Sequence, residues 1–332
     1  MLKNLSIVML VVMGTYTVSS ADVITGNWQG SFNSYSGDRG SIRAQVFPLG
    51  KGEYKVLFYV DVEGSEMGPL ETSAQKKGEK AVIASDVDLG PELGQFRISG
   101  EIDAEKMNGK FSGSEASGTI EMIRIEKKSS TLGAAPPPGA VVLFDGSGLD
   151  SWQSTKDGKK PKWKVQRDGS MQVKKKAGSI VTKQKFESCK IHIEFRTPLK
   201  PEARGQSRGN SGVYVSGRYE VQILDSFGLP ANDNECGAIY KIATPSVNAC
   251  LPPLEWQTFD ITYIKPQFDS QGNKVEDAEI TVVHNDIVIH DRVKLPKVTG
   301  GALDGDESQP GGLMLQDHGN PVEFRNIWIV PL

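Results

Sequence analysis

A carboxylate, an amide and a phenol share one side of the stretch from Asn210 to Asp225, NSGVYVSGRYEVQILD. Val213, Val215, Tyr219, Val221 and Ile223 alternate with polar positions that include Tyr214, Glu220 and Gln222, the period of two expected of strands apolar on one face only. Ser216-Gly217-Arg218 interrupts the alternation as a tight turn, so the stretch predicts a hairpin. A face with Glu220 beside Gln222 is costly to bury and unnecessary for packing, so it belongs against solvent or a polar ligand. Glu220 is therefore the first candidate for proton transfer; its other reading is a structural carboxylate paired to Arg218 or Arg325. His318 is the second candidate. It ends the run Leu313 to His318, in which Met314, Gln316 and His318 share a face, and histidine titrates near neutral pH. Its alternative is a loop histidine beside a Gly-Asn-Pro turn. Asp225, followed by Ser226 and Gly228, reads as a base, a metal ligand or a turn residue.

The elements that must position these residues are β-strands. From Asp22 to Lys128 short alternating segments such as EYKVLFYVD, GQFRISGEID and GTIEMIRIE are separated by Gly-containing turns, with no helical period. That predicts a small antiparallel meander closing into a barrel or half-barrel, an accessory β-rich domain over residues 22–128. SSTLGAAPPPGA, residues 129–140, reads as a semi-rigid linker. Residues 141–332 carry about a dozen further β-patterned runs with long loops, which suits a two-sheet sandwich or jelly roll. The expected fold class is all-β, and no phosphate loop or dinucleotide fingerprint occurs in a strand-to-helix context.

At 332 residues, 38% hydrophobic and 24% charged, the composition is that of a globular protein of about two domains. A net charge of −3 without a long basic block argues against a nucleic-acid surface. Residues 1–21, with Lys3, an apolar Leu5 to Met13 core and a Ser19-Ser20-Ala21 end, match a secretory signal peptide. The apolar run is short for a membrane span. The expectation is an exported protein, periplasmic or extracellular, with no stable membrane insertion after cleavage. Cys189, Cys236 and Cys250 permit one disulfide, most simply Cys236 with Cys250, or three buried thiols.

The second segment resembles the 3-keto-disaccharide hydrolase domain, a family first catalogued as a domain of unknown function and built as a concanavalin A-like jelly roll. The resemblance is carried by LFDG at Leu143–Gly146, NSG at Asn210–Gly212, YEVQILDS at Tyr219–Ser226, GAIY at Gly237–Tyr240, Glu255-Trp256, and LQDHG with FRNIWI near the end. These motifs keep the family's order. The chain departs from it at Gln257, where the family usually has Asn, and at His284-Asn285-Asp286, where Asn-Gly is common.

The resemblance implies cleavage of glycosides whose ring bears a ketone at C3. The ketone acidifies the C2 proton; a base removes it, a donor stabilises the enolate, the C1 substituent leaves, and water adds afterwards. Glu220 and His318 take the proton-transfer roles, and Arg325 neutralises the enolate or pairs with Glu220. Gln222, Asp225, Gln316, Asp317 and Asn210 are assigned to substrate binding, with Tyr240 and Trp256 as an apolar platform for a sugar face or as core aromatics. No cofactor is indicated by a motif. Oxygen ligands from several loops could assemble a divalent-cation site, such as one for calcium, and the sequence leaves this open. The expected partner is an oxidised glycoside or oligosaccharide. Two other readings compete: a non-catalytic carbohydrate-binding protein, and a two-carboxylate glycosidase for which Glu194 and Glu255 are the only plausible partners of Glu220.

Overall fold

A computed structural model describes residues 22–88 and 94–332. The expected leader, residues 1–21, lies outside the described residues. Among those described there is no α-helix, and no helix long and apolar enough to cross a membrane.

Eight strands form the first unit: β1 (Gly26–Ser34), β2 (Arg39–Gly50), β3 (Glu53–Val62), β4 (Ser65–Lys77), β5 (Lys80–Asp88), β6 (Gln95–Ile102), β7 (Lys106–Gly113) and β8 (Ser117–Ile125). Each pairs antiparallel with the next, and β8 returns to pair with β1, so the sheet is a closed barrel. Closure removes both sheet edges. Alternate residues point inward, and Trp28, Tyr54, Ile83, Ile102, Met107 and Met122 pack one end of the lumen.

The second unit is a two-sheet sandwich. Its strands are β9 (Val141–Phe144), β10 (Trp152–Ser154), β11 (Lys164–Val165), β12 (Met171–Gln172), β13 (Ile180–Thr182), β14 (Cys189–Arg196), β15 (Ser211–Val215) and β16 (Tyr219–Ile223). They continue as β17 (Gln257–Ile264), β18 (Gln267–Phe268), β19 (Lys274–Glu276), β20 (Ala278–His284), β21 (Ile287–Leu295), β22 (Met314–Leu315) and β23 (Glu323–Pro331). One sheet runs β10-β13-β22-β15-β16; the other runs β11-β12-β23-β14-β17-β20-β21, with β9 beside β23. Val213, Val215, Tyr219, Val221 and Ile223 meet Ile191, Ile193, Phe195, Phe259 and Ile261 in a single core between the sheets. The period of two then forces their neighbours, Tyr214, Glu220 and Gln222 on one sheet and His192 and Glu194 on the other, onto the two opposite outer faces. The predicted hairpin is present, as β15 and β16 in the register Tyr214↔Glu220 and Gly212↔Gln222.

The segment after the barrel is laid along the outer face of the β14-containing sheet. Thr131 Oγ1 donates to Asp260 (2.6 Å), Gly133 N donates to Glu194 Oε1 (2.6 Å), and Asn326 Nδ2 donates to Ala134 O (3.0 Å). The barrel wall touches the sandwich through Phe47, whose ring meets Phe227 edge-on at 6.4 Å and lies 5.7 Å from the Arg208 guanidinium. Lys51 N also donates to Glu202 Oε1 (3.0 Å). The barrel thereby braces the 202–208 loop, which carries Gln206 towards the hairpin.

Candidate functional site

The site is built on the outer face of the hairpin sheet. Cross-strand register aligns Gln222 with Gly212, and Glu220 with Tyr214 and Met314. Gln316 continues the first row, its backbone N–H donating to Gly212 O (3.0 Å). Gly212 is what lets the rows close up: a Cβ there would overlap Glu220 Oε1 and come within 3.0 Å of the Tyr214 ring. The Glu220 side chain therefore lies across the one position of the hairpin floor without a side chain of its own.

Glu220 is 3% exposed, and no cation among the described residues pairs with it. The two arginines offered to it by the sequence are both engaged elsewhere: Arg218 Nε donates to Asp304 (2.6 Å) and Arg325 Nε to Glu194 (2.6 Å). Burial pushes the Glu220 carboxyl up from the ordinary 4.5 to about 7, opposed only by the polar Tyr214 side chain beside it. Tyr214 is itself fixed, its hydroxyl donating to Gly300 O (2.8 Å) and accepting from Gln316 Nε2 (3.0 Å). A buried phenol beside a carboxylate resists ionisation, and its pKa is driven upward by burial and by Glu220.

Loops close the margins. Thr299 Oγ1 accepts from Glu220 N (2.9 Å) and donates to Arg218 O (3.0 Å). Gly301, at φ +80°, leaves room for the Tyr214 hydroxyl, which a Cβ would meet at 2.6 Å. Tyr240 N donates to Glu220 O (3.1 Å). Gln206 Oε1 accepts from Asn210 Nδ2 (2.8 Å) and from Gln222 Nε2 (3.3 Å). The amide oxygens of Asn210, Gln222 and Gln316 are left buried without a hydrogen-bond partner. Three acceptors at one margin of a sheet demand donors.

The structure thus brings Glu220, Gln222, Gln316, Asn210 and Tyr240 together and leaves others outside. His318 is an exposed residue of the turn after β22, and no polar contact joins its ring to Glu220. Asp317 accepts from Gly178 N (2.9 Å) and Gly319 N (3.0 Å), a turn-holding role, and lines a shallow surface hollow with Lys156 and Lys175. Asp225 is buried and paired with Arg208 Nε (2.7 Å), and burial pushes its carboxyl up against that pairing.

Arg325 and Trp256 are corrected outright. Both belong to the opposite outer face, where the Arg325 guanidinium lies 4.1 Å from the centre of the Trp256 ring and Arg196 stacks on the same ring at 4.6 Å. The core separates them from Glu220, so Arg325 does not reach an enolate there and Trp256 is not its platform. Of the two partner carboxylates offered for a conventional glycosidase, Glu194 is on this far face. Glu255 adjoins Trp256 and pairs with Arg124 of the barrel (3.7 Å).

That far face is a closed polar network. His192 Nδ1 meets Asp260 Oδ1 at 2.7 Å, its ring stacks on Trp328 at 4.9 Å, and Glu194 takes hydrogen bonds from Gly133, Asn326 and Arg325. Burial alone would raise the Glu194 carboxyl; the donors outweigh it and hold it at about 2. Burial likewise opposes charge on His192, yet Asp260 and Glu194 keep its pKa up at about 8. The unusual Gln257 is buried in a third network, its Oε1 accepting from Leu251 N (2.8 Å) and facing His284 Nε2 at 3.0 Å. The longer amide reaches partners in the core rather than the site. Cys189, Cys236 and Cys250 are buried free thiols, and no three His, Cys, Asp or Glu side chains gather to hold a metal among the described residues.

Tyr214 counts among the polar side chains legible on the hairpin, but its contact with Glu220 was not. Gln206 and the Thr299–Gly301 loop were missed. The Gly-Gly pair at 300–301 was the one local sign of a close backbone approach.

The sequence profile of the 3-keto-alpha-glucoside-1,2-lyase-like domain matches residues 139–330. Among solved structures, the chain is 39% identical to a protein of Parabacteroides distasonis provisionally described as a glycosyl hydrolase, over 59% of this chain and 85% of that one, with a TM-score of 0.55. A second protein from the same organism, under the same description, is 20% identical over 58% of this chain and 94% of its own, with a TM-score of 0.45. No curated protein matches the sequence. With more than half of its length matched by the profile, the chain belongs to the 3-keto-alpha-glucoside-1,2-lyase-like family.

Proposed function

We propose that this carbohydrate-active protein cleaves glycosides carrying a ketone at C3, with Glu220 as the base, and that it acts after export from the cytoplasm. Ionised Glu220 takes the C2 proton, the electron pair moves into the enolate of the C3 ketone, and the C1–O bond then breaks as the aglycone oxygen departs with the proton that Glu220 took, which restores the base. Water adds to the unsaturated ring to complete hydrolysis. Tyr214, clamped between Gly300 and Gln316, positions the carboxyl and takes the second place that the sequence offered to His318 and Arg325. The unpartnered oxygens of Asn210, Gln222 and Gln316 suit the hydroxyl donors of a sugar.

The observation that carries this reading is Glu220 itself: a buried carboxyl, free of any cation, with its pKa at about 7. That is where a general base at neutral pH is most effective. An oxocarbenium mechanism needs a second carboxylate across the scissile bond, and Glu194 and Glu255 both lie elsewhere. The family description and the solved relative support the glycoside-hydrolase-like class. The test is to incubate the purified protein with an aryl 3-keto-glucoside and with its unoxidised parent. Aglycone release from the keto compound alone is the expected result. Release from the parent would indicate a conventional glycosidase, and saturable binding without turnover would leave a carbohydrate-binding protein.

A further inference from the structure

Among the described residues, the barrel is packed at one end. At the end nearest the sandwich, large side chains fill the lumen. At the far end, ringed by the β1–β2, β3–β4 and β7–β8 turns, the lumen opens into an apolar cavity of about 300 Å³. Its opening follows from three cross-strand pairs, Phe32↔Gly40, Phe96↔Gly113 and Phe111↔Gly118. In each pair the phenyl ring lies over the glycine. A Cβ at Gly40 would overlap the Phe32 ring, one at Gly113 would stand 2.9 Å from Phe96, and one at Gly118 would stand 2.8 Å from Phe111. The rings are thus laid along the wall instead of across the lumen, and they touch one another: Phe32 meets Phe111 edge-on at 6.1 Å, and Phe96 lies 6.3 Å from Phe111.

We propose that the far end of the β1–β8 barrel is a binding site for a neutral aromatic molecule of naphthalene size. Size, wall chemistry and charge each narrow the ligand. An eight-stranded barrel is just wide enough to hold one small ligand when its side chains do not fill it. A dry cavity of about 150 Å³ accommodates benzene, so this one has room for a bicyclic ring system. Phenyl walls favour an aryl guest over an alkyl chain, because ring–ring contacts add to the area term. The floor is Ile42, Phe58, Ile98 and Ile120, with no donor or acceptor side chain to hold a sugar. Asp38 is the one ionisable residue among those described that line the cavity, and it stands at the mouth, where it repels an acid. The mouth is turned away from the sandwich, so occupancy does not depend on the chemistry at Glu220.

The experiment is a titration of the full chain with N-phenyl-1-naphthylamine, a neutral dye that brightens in apolar surroundings. One saturable site per chain is expected. Val60→Trp places an indole in the cavity and should weaken dye binding by about tenfold or more; Leu70→Trp serves in its place if Val60→Trp does not fold. Asp38→Asn, at the exposed mouth, should leave dye binding unchanged and strengthen displacement by 2-naphthoate about fivefold, with no change for 2-naphthol. The proposal is overturned by the absence of saturable binding, by dye binding that survives both filling variants in folded protein, or by decanoate displacing the dye better than 2-naphthol. Turnover of the keto-glycoside should be the same with the cavity filled, which keeps this test separate from the one at Glu220.

Discussion

Two glutamates occupy equivalent places on the two outer faces of the sandwich, and their surroundings send them in opposite directions. Glu194 and Glu220 are each almost wholly shielded from solvent, and each sits on a strand whose alternate residues build the common core. Glu194 is met by Arg325, Asn326, His192 and the Gly133 amide and stays ionised down to a pKa of about 2. Glu220 is met by Tyr214 alone and holds its proton up to about 7. The lesson is that burial by itself does not mark a functional carboxylate. What marks it is burial without compensation, because a protein that only needed stability would have paired the charge or replaced it with an apolar residue.

The comparison is broken most directly by removing each charge in turn. Glu220→Gln should lower the rate on a 3-keto-glucoside by about 10²–10⁴-fold, the usual contribution of a general base. Glu194→Gln should leave turnover per folded molecule intact, and near-normal turnover by the Glu220 variant would place the chemistry elsewhere. For stability the order reverses. Glu194→Gln leaves Arg325 and His192 without their shared negative charge and should cost about 3–5 kcal/mol, read from the urea midpoint at pH 7.

The pH dependence of stability sharpens the contrast. The raised pKa of Glu220 means that the folded protein prefers the protonated acid, so the stability it contributes is full below pH 4.5 and is lost as pH rises through about 7. Glu220→Gln should therefore be more stable than the parent above pH 8, by up to about 3 kcal/mol, and should match it near pH 4. Glu194 has the lowered pKa, so its contribution is present above pH 4.5 and is lost as pH falls through about 2. Thermal melts of both variants, from pH 2 to 5 for Glu194→Gln and from pH 4 to 9 for Glu220→Gln, test both signs. For turnover, kcat/KM should climb as pH rises through about 7, because only ionised Glu220 takes a proton. A profile flat from pH 5 to 9 would remove Glu220 as the base.

The smallest effect expected is at Gly212. An added methyl there displaces the Glu220 carboxyl without changing any charge. Gly212→Ala should cost about tenfold in kcat through misplacement of the base, with little change in its pH profile.

Much of this was legible in the residues. The alternation in Asn210–Asp225 fixed which side chains share a face, because side-chain parity along a strand is local, and it correctly put Glu220 beside Gln222 and Tyr214. The barrel and the two-sheet sandwich followed from short alternating runs between Gly-containing turns. What failed was the assembly of residues distant in sequence. Arg325 lies in the late FRNIWI motif, close in sequence to the LQDHG strand that does border the site, yet β23 belongs to the other sheet and its side chain faces the other way.

The sequence by itself determined the strands, their two-faced character and the family, because these rest on local periodicity and short motifs. Only the tertiary structure decided which of two buried glutamates keeps its proton. That depends on which cations and donors reach each carboxyl across the sheets and loops, and low-dielectric surroundings magnify the difference. It also decided that the described residues leave the lumen unfilled at one end, since phenylalanines that would fill it are instead laid over glycines on neighbouring strands.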